Sequence, residues 1–330
     1  MGHRLKSKVE LFASNVQALK GTFVWKNVLL KRMAALLYAG KDERIDLNAL
    51  RESHDLIKSK TGVFSYFRSN SMVTLSTLLS MHDDKQAQLD KTLAVYERMK
   101  EYRFWKGDYL VVAAYQIAEN TREEKYDETI RRAKAFYDGM KAQHPFITGH
   151  SSYIFAALLG LSDMKIESGL MRIEGFYRAF KPHFRSGYSV QALAQVLALS
   201  AGDRDVEGRV LYLSDKFRQR NMRMDRQYIL SSLGILSILP ADLNGLVNDV
   251  IETYEQLRTK KGFGRWTVTK RELLMLSSAL VCFDHIAEEN NQLLTTTLST
   301  SITNIIIAQQ TAIAVAVATS SSAAASSGSS

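Results

Sequence analysis

Residues 96–100 read Tyr96-Glu97-Arg98-Met99-Lys100, and the pattern returns as Tyr137-Asp138-Gly139-Met140-Lys141, Tyr177-Arg178-Ala179-Phe180-Lys181 and Tyr254-Glu255-Gln256-Leu257-Arg258. With Ile57 and Phe217 added, the series Ile57, Tyr96, Tyr137, Tyr177, Phe217, Tyr254 has spacings of 39, 41, 40, 40 and 37 residues. Self-similarity at such a period marks stacked pairs of helices. Within a unit the apolar positions advance in steps of 4, 3, 4, 3, as in Ile166, Leu170, Ile173, Tyr177, Phe180 and in Leu243, Val247, Val250, Tyr254, Leu257. That rhythm places them on one helix face and leaves the other face to solvent.

The segment after each of these outer helices reads differently. YLVVAAYQI (109–117), YIFAALLGL (153–161), VQALAQVLAL (190–199) and YILSSLGILSIL (228–239) are apolar nearly all round. A helix apolar on every side is buried on every side. Ala113, Ala157, Ala194, Ser232 and Gly234 let such inner helices approach their neighbours closely. Tyr109, Tyr153, Tyr188 and Tyr228 fall near inner-helix starts, where amphipathic rings plug the turns. Pro145, Pro182 and Pro240 lie just past helices. Asp83, Asp163, Asp203 and Asp242 precede outer helices and read as N-caps.

The expected fold is therefore all-α: stacked helical hairpins, an α-solenoid or an α/α toroid, with a repeat of about 40 residues. Residues 1–288 form the helical-repeat domain: 1–42 as an N-terminal capping pair (Leu5–Leu19 and Phe23–Leu37), then six hairpin units over 43–288. Residues 289–330 form an uncharged tail, and from Asn290 onward no charged residue occurs. The tail holds an apolar stretch, Ile302–Val317, and a Ser/Ala end that reads as disordered. The apolar stretch is expected to dock on the helices, to self-associate through residues 293–318, or to touch a membrane.

Composition agrees. The 330 residues are 46% hydrophobic and 23% charged, with only three prolines, which favours helices over a many-turned β fold. The single cysteine, Cys282, excludes an internal disulfide and a cysteine-based zinc site. No apolar run follows Met1–Glu10, and Lys6 stands where a myristoylation signal needs Ser or Thr, so the expected location is cytoplasmic, with peripheral membrane contact as an addition.

The repeat, the length and the tail together resemble the uncharacterised bacterial family DUF4003, found mainly in Bacillus-type bacteria. The residues that carry the likeness are Ser301-Ile302-Thr303-Asn304-Ile305-Ile306-Ile307-Ala308-Gln309-Gln310 and the Ala/Ser-rich end from Ala312 to Ser330. The chain from Leu5 to His285 suits the family's helical body. The resemblance implies a bacterial cytoplasmic protein and brings no activity, cofactor or catalytic residue.

Charge placement is more informative. The net charge is +9, and 22 of the 43 Lys and Arg fall in the outer-to-inner junctions 57–68, 98–106, 139–146, 178–185, 216–226 and 258–271. Their acids are Glu101 and Asp225. The densest set is Lys216, Arg218, Arg220, Arg223, Arg226, Arg258, Lys260, Lys261, Arg265, Lys270 and Arg271. Cations at helix C-termini complement the macrodipole, which explains the sign without a ligand. The concentration in the last two junctions points to an anionic partner: nucleic acid, an anionic membrane surface or an acidic protein. Tyr102, Phe104, Trp105, Phe184, Phe263 and Trp266 lie among these cations, either to stack bases or to seal the turns.

Catalytic signatures are absent. No G-x-S-x-G, P-loop, H-E-x-x-H or dinucleotide fingerprint occurs. Cys282 and His285 share a helix face, as a thiolate–imidazole pair or as a buried Cys beside a helix-end His, and His144, His150 and His183 lie in neighbouring turns, where they either converge as zinc ligands or are placed by chance. An α/α-barrel enzyme would need carboxylates on inner helices, where only Asp108, Glu119 and Glu272 are offered. The expected function is non-catalytic binding or scaffolding on the basic edge or the concave face, without cofactor or metal. The alternatives are an α/α-barrel enzyme and a peripheral membrane protein attached through the C-terminal apolar segment.

Overall fold

The structure, a computed structural model, describes residues 1–21, 28–200, 205–289, 303–310 and 312–313. Among these residues the fold is all-α and contains no strand. The helices are α1 (His3–Ala18), α2 (Val28–Gly40), α3 (Leu47–Lys60), α4 (Ser71–Ser80), α5 (Lys85–Glu101), α6 (Asp108–Asn120) and α7 (Tyr126–Gln143). They continue as α8 (Ser152–Leu161), α9 (Ile166–Phe180), α10 (Gly187–Ala198), α11 (Val206–Gln219), α12 (Leu230–Ile238), α13 (Leu243–Thr259) and α14 (Lys270–Glu289).

Two kinds of helix alternate. α5, α7, α11 and α13 bury one face each. In α4, α8 and α12 nearly every residue is buried, Ser and Thr included. This is the difference read from the sequence as outer and inner.

The chain gathers into two compact units. One comprises Met1–Lys20, Tyr38–Ile45 and Ser168–Ile306. In it α11 packs on α12, α13 on α14, and α12 lies against both α10 and α14. The other comprises Gly21–Leu37, Asp46–Glu167 and Ile307–Ser330. There α3 packs on α4, α5 on α6 and α7 on α8, while α6 lies against both α4 and α8. Residues 1–42, expected as a capping pair, divide between the units: α1 packs on α13 and α14, and most of α2 falls in the second unit. Residues 22–27, part of the second helix of that pair, lie outside the described residues.

Burial singles out one position near the end of each outer helix. Ile57, Met99, Met140, Phe180, Phe217 and Leu257 are fully buried in the last turns of α3, α5, α7, α9, α11 and α13. Tyr96, Tyr137, Tyr177 and Tyr254 stand one turn earlier, three residues before Met99, Met140, Phe180 and Leu257. Ile57 and Phe217 therefore do not match the tyrosines. In burial and in place within the last turn they resemble the residue three positions later, which lies on the same helix face as the tyrosine.

The N-caps also shift slightly. Asp46 accepts from the backbone N–H groups of Asn48 and Ala49, Asp84 from Ala87, Asp205 from Gly208 and Asp242 from Gly245. Thus Asp84 caps α5 where Asp83 was expected, and Asp205 caps α11 where Asp203 was expected; Asp203 lies outside the described residues. Asp163 falls short of α9, which starts at Ile166.

Each hairpin in the middle of the chain is closed by an arginine. Arg132 of α7 donates through Nε to Gly160 O (3.0 Å) and through Nη2 to Ser162 O (2.7 Å) and Met164 O (2.6 Å). Arg209 of α11 repeats this at the same sequence offsets, with Ser237 O (2.7 Å), Leu239 O (2.7 Å) and Ala241 O (3.2 Å). Arg172 of α9 donates to Ser200 O at 2.9 Å. These carbonyls belong to the last turns of inner helices and the links beyond, where helical geometry leaves acceptors without intrahelical donors. The outer helix thus supplies the C-terminal cap of its own inner partner.

Close approach completes the pair. A Cβ on Gly160 would meet Thr129 O at 2.8 Å and Ala133 N at 2.9 Å, so only glycine lets α8 approach the α7 backbone this closely. A Cβ on Gly234 would meet Leu193 Cδ1 at 2.8 Å, as expected for a small residue between α12 and α10.

Of the tail, residues 303–310 are helical, and Ile305, Ile306, Ala308 and Ile313 are buried. Ile307 packs against the core of the second unit. This segment is docked on the helices. Residues 290–302, 311 and 314–330, including the Ser/Ala end and the rest of 293–318, lie outside the described residues. Among the described residues no helix is long and apolar enough to cross a membrane.

Candidate anion-binding cleft

The eleven cations singled out from the sequence all lie in the first unit, on or beside the α11–α12 and α13–α14 turns. The structure separates them by role. Arg258 is part of the framework: its Nη1 donates to Phe263 O and Val268 O, both at 2.9 Å, and its Nε to Tyr254 Oη at 3.2 Å, which pins the α13–α14 turn. Lys260 pairs with Glu10 of α1. Lys216 lies over the Tyr212 ring, 5.2 Å from its centroid. Arg218 reaches Asp225 at 3.9 Å, a half-exposed pair that contributes little. Arg220, Lys261 and Arg265 are exposed on the turns.

The remaining four converge. Arg223, Arg226, Lys270 and Arg271, with Asn221, Tyr228 and Thr269, line a cleft of about 470 Å³. Its size is that of a small-molecule or headgroup site. Its two walls are held together by Lys270 Nζ, which donates to Asn221 O at 2.5 Å. Asn221 has a left-handed backbone, φ 56°, which Asn tolerates better than most residues and which turns the chain out of α11 into the cleft wall. Met222 and Met224 alternate with the cations and are buried, so Arg223 points outward. Burial raises the Tyr228 phenol above its ordinary value and Glu272 adds to this, while Arg271 and a hydrogen bond with Thr269 oppose it. Tyr228 therefore presents a neutral hydroxyl to the cleft.

The aromatic residues of the turns divide. Phe104, Phe184 and Phe263 are buried and seal their turns; Phe104 packs edge-on against Tyr153 at 4.9 Å and Phe263 against Phe12 at 5.4 Å. Tyr102 is half-buried. Trp105 and Trp266 are exposed. Of the four inner-helix tyrosines, Tyr153 is buried, Tyr109 and Tyr228 are half-buried, and Tyr188 is exposed.

The other candidate constellations do not assemble. Asp108 accepts from Ser71 N at 2.6 Å and from Ser69 Oγ at 3.3 Å, and burial raises its carboxyl above the ordinary range. It ties two turns together. Glu119 sits at the other end of α6, about 16 Å along the axis from Asp108 at 1.5 Å per residue. There it lies 3.3 Å from His82 Nε2, which also meets Tyr115 Oη at 2.8 Å. Cys282 is buried, and burial pushes its thiol well up; His285 faces Asp249 at 3.7 Å. His150 stacks on Tyr153. Among the described residues no three His, Cys, Asp or Glu side chains are placed to share a metal ion.

An all-α chain of packed helix pairs, carrying a cation-lined cleft between two adjacent turns, is the class that fold and site define. The family model described as "Protein of unknown function (DUF4003)" matches residues 15–311, and the chain belongs to that family. The chain is similar to an uncharacterised protein, YeaA of Bacillus subtilis (strain 168), with 23% identity over 206 residues, covering 60% of this chain and 62% of that protein. The match thus spans less than two thirds of that relative's length. No solved structure matches.

Proposed function

We propose that the protein is a non-catalytic binding protein that takes an anionic partner on the cationic turns of its first unit, with the Arg223, Arg226, Lys270 and Arg271 cleft as the seat. In this reading the hairpins act as stacked units of about 40 residues, and the stack serves to bring successive turns side by side. The observation that carries the reading is the convergence of four cations on one cleft, with no carboxylate among the described residues that line it. Dipole complementation favours cations at helix C-termini by about 0.3–1 kcal/mol each, whereas Lys270 and Arg271 stand at the N-terminus of α14. It gives no reason for two adjacent turns to aim theirs at a shared space, where like charges raise one another's energy. A bound anion relieves that repulsion.

The test is anion binding as a function of salt. A labelled single-stranded oligonucleotide and inorganic polyphosphate are titrated into the full chain at low ionic strength. Four phosphate contacts give a slope of log K against log salt of about −3 for a single strand. The double variant Arg223→Glu, Lys270→Glu is expected to lose most of the affinity and flatten the slope. An absence of salt-dependent binding to either probe, or an affinity indifferent to the double variant, removes the reading.

A further inference from the structure

The second unit carries its own feature, independent of the cleft. Phe64, Trp105 and Phe146 are 100%, 72% and 99% exposed. Each lies in one of three consecutive turns, α3–α4, α5–α6 and α7–α8, and they recur at intervals of 41 residues. Rings of this size are ordinarily buried, and an isolated exposed one needs no explanation. Three at one register do.

The core does not require them. Phe67 and Phe104, in the first two of these turns, are the buried plugs. The outward rings are additional to those seals. The turns also lie side by side: Ser71 N, at the start of α4, donates to Asp108 Oδ1 at the start of α6, and Trp105 N donates to Tyr153 Oη at the start of α8 (3.2 Å). The three turns that carry the rings therefore form a row, stepped by the packing of α4 on α6 and α6 on α8, about 8–10 Å from one helix to the next.

Charge selects the occupant. Residues 58–70, 100–107 and 141–151 hold seven Lys and Arg and a single carboxylate, Glu101. Lys58, Arg103, Lys106 and Lys141 are exposed there. Base stacking uses a ring laid flat on the protein with one face open, as a platform. A ring exposed on both faces at a turn tip is a wedge. A row of such wedges among cations matches the depth profile of a membrane interface, where aromatic rings sit at headgroup level and Lys and Arg meet anionic lipid.

We propose that the three turns of the second unit form a docking face for an anionic phospholipid bilayer, with Phe64, Trp105 and Phe146 entering the interface and the neighbouring Lys and Arg contacting the headgroups. This differs from attachment through the C-terminal apolar stretch, whose described part is already docked.

The full chain is sedimented with vesicles of phosphatidylcholine alone and of phosphatidylcholine mixed with phosphatidylglycerol, and its tryptophan fluorescence is followed with bromine-labelled acyl chains. Binding is expected to the mixed vesicles and to weaken as salt rises. Phe64→Ser with Phe146→Ser is expected to weaken it at least about tenfold, the loss from withdrawing two rings, with helical content unchanged because both rings are exposed. If that pair disturbs the fold, Lys58→Glu with Lys106→Glu takes its place and is expected to weaken binding most at low salt. Quenching is expected to fall sharply in Trp105→Phe. Failure to sediment with either vesicle overturns the proposal. So does sedimentation indifferent to the ring pair, quenching that survives Trp105→Phe in full, or an oligonucleotide held by these rings in place of lipid.

Discussion

Replacing Arg209 by Met tests the closure of the hairpins directly. The methionine keeps much of the apolar stem and removes the guanidinium that meets Ser237 O, Leu239 O and Ala241 O. A hydrogen bond from a charged donor contributes about 1.5–3 kcal/mol when its loss strands a buried acceptor. Arg209 is only half-buried and water can reach part of the site, so the sum is discounted to about 3 kcal/mol. For a unit of this size that is a fall in Tm of about 6–12 °C. Arg209→Lys keeps one donor group and should fall about half as far. Arg132→Met, which breaks the same geometry in the other unit, should match Arg209→Met. Arg131→Met is the control: Arg131 is exposed on α7, one position from Arg132, and its loss should cost less than about 0.5 kcal/mol. Urea unfolding followed by circular dichroism measures all four. If Arg209→Met and Arg131→Met were equally mild, the carbonyls at the ends of the inner helices would be satisfied by water and the arginines would close nothing.

Gly160→Ala should destabilise by about 1–3 kcal/mol in urea unfolding, because its Cβ would meet backbone atoms of α7; Gly175→Ala, which meets nothing, should gain about 0.5–1 kcal/mol. Asp108 is held above the ordinary carboxylate range by burial, so the folded chain keeps a proton that the unfolded chain releases from about pH 3.9 upward. Its contribution to stability is present in acid and is lost as pH rises through the folded value; Asp108→Asn should flatten that part of the stability–pH curve. Tyr96 and Tyr137 are pushed up to about 12 by burial, so a spectrophotometric titration should show a late class of phenols well separated from the ordinary one near about 10. The thiol of Cys282 should react with a disulfide reagent only at the rate at which α14 opens, since it is buried and its pKa is raised.

Much of the fold is legible in the residues. The 4-3-4-3 rhythm located the outer helices, and the all-round apolar runs located the inner ones, because burial on one side or on every side leaves a mark on composition. Register was harder. Tyr96 and Met99 lie on the same face, so pattern alone does not say which of them recurs with Ile57 and Phe217. Paired acids pose the same problem: Asp83 and Asp84 differ by one position, and only the entry angle of the chain decides which accepts the first free N–H. The turn aromatics read as either plugs or contacts because both are present, often adjacent, as with Phe104 and Trp105. The arginine closures were missed. Their signal is an Arg immediately before a buried position, at 132, 172 and 209, but an Arg on a half-polar helix reads as a solvated residue until its acceptors are seen. For the site, the cation cluster was legible, whereas its division into framework and cleft was not. Arg258 and Arg223 look alike in sequence and differ in whether the turn folds back over them.

The arginine closures have a consequence for how such a chain tolerates insertion and deletion. Arg132 and Arg209 each hold one carbonyl in the last turn of an inner helix and two in the link beyond it, and those links, residues 162–165 and 239–242, are both four residues long. Adding one would carry an acceptor out of reach. The turns at the other end share no common length, from six residues at 102–107 to ten at 260–269, the latter pinned by its own Arg258. Where an arginine spans the link in this way, drift in loop length, and with it the freedom to acquire new contacts, is left to the turns at the opposite end of the helix pair.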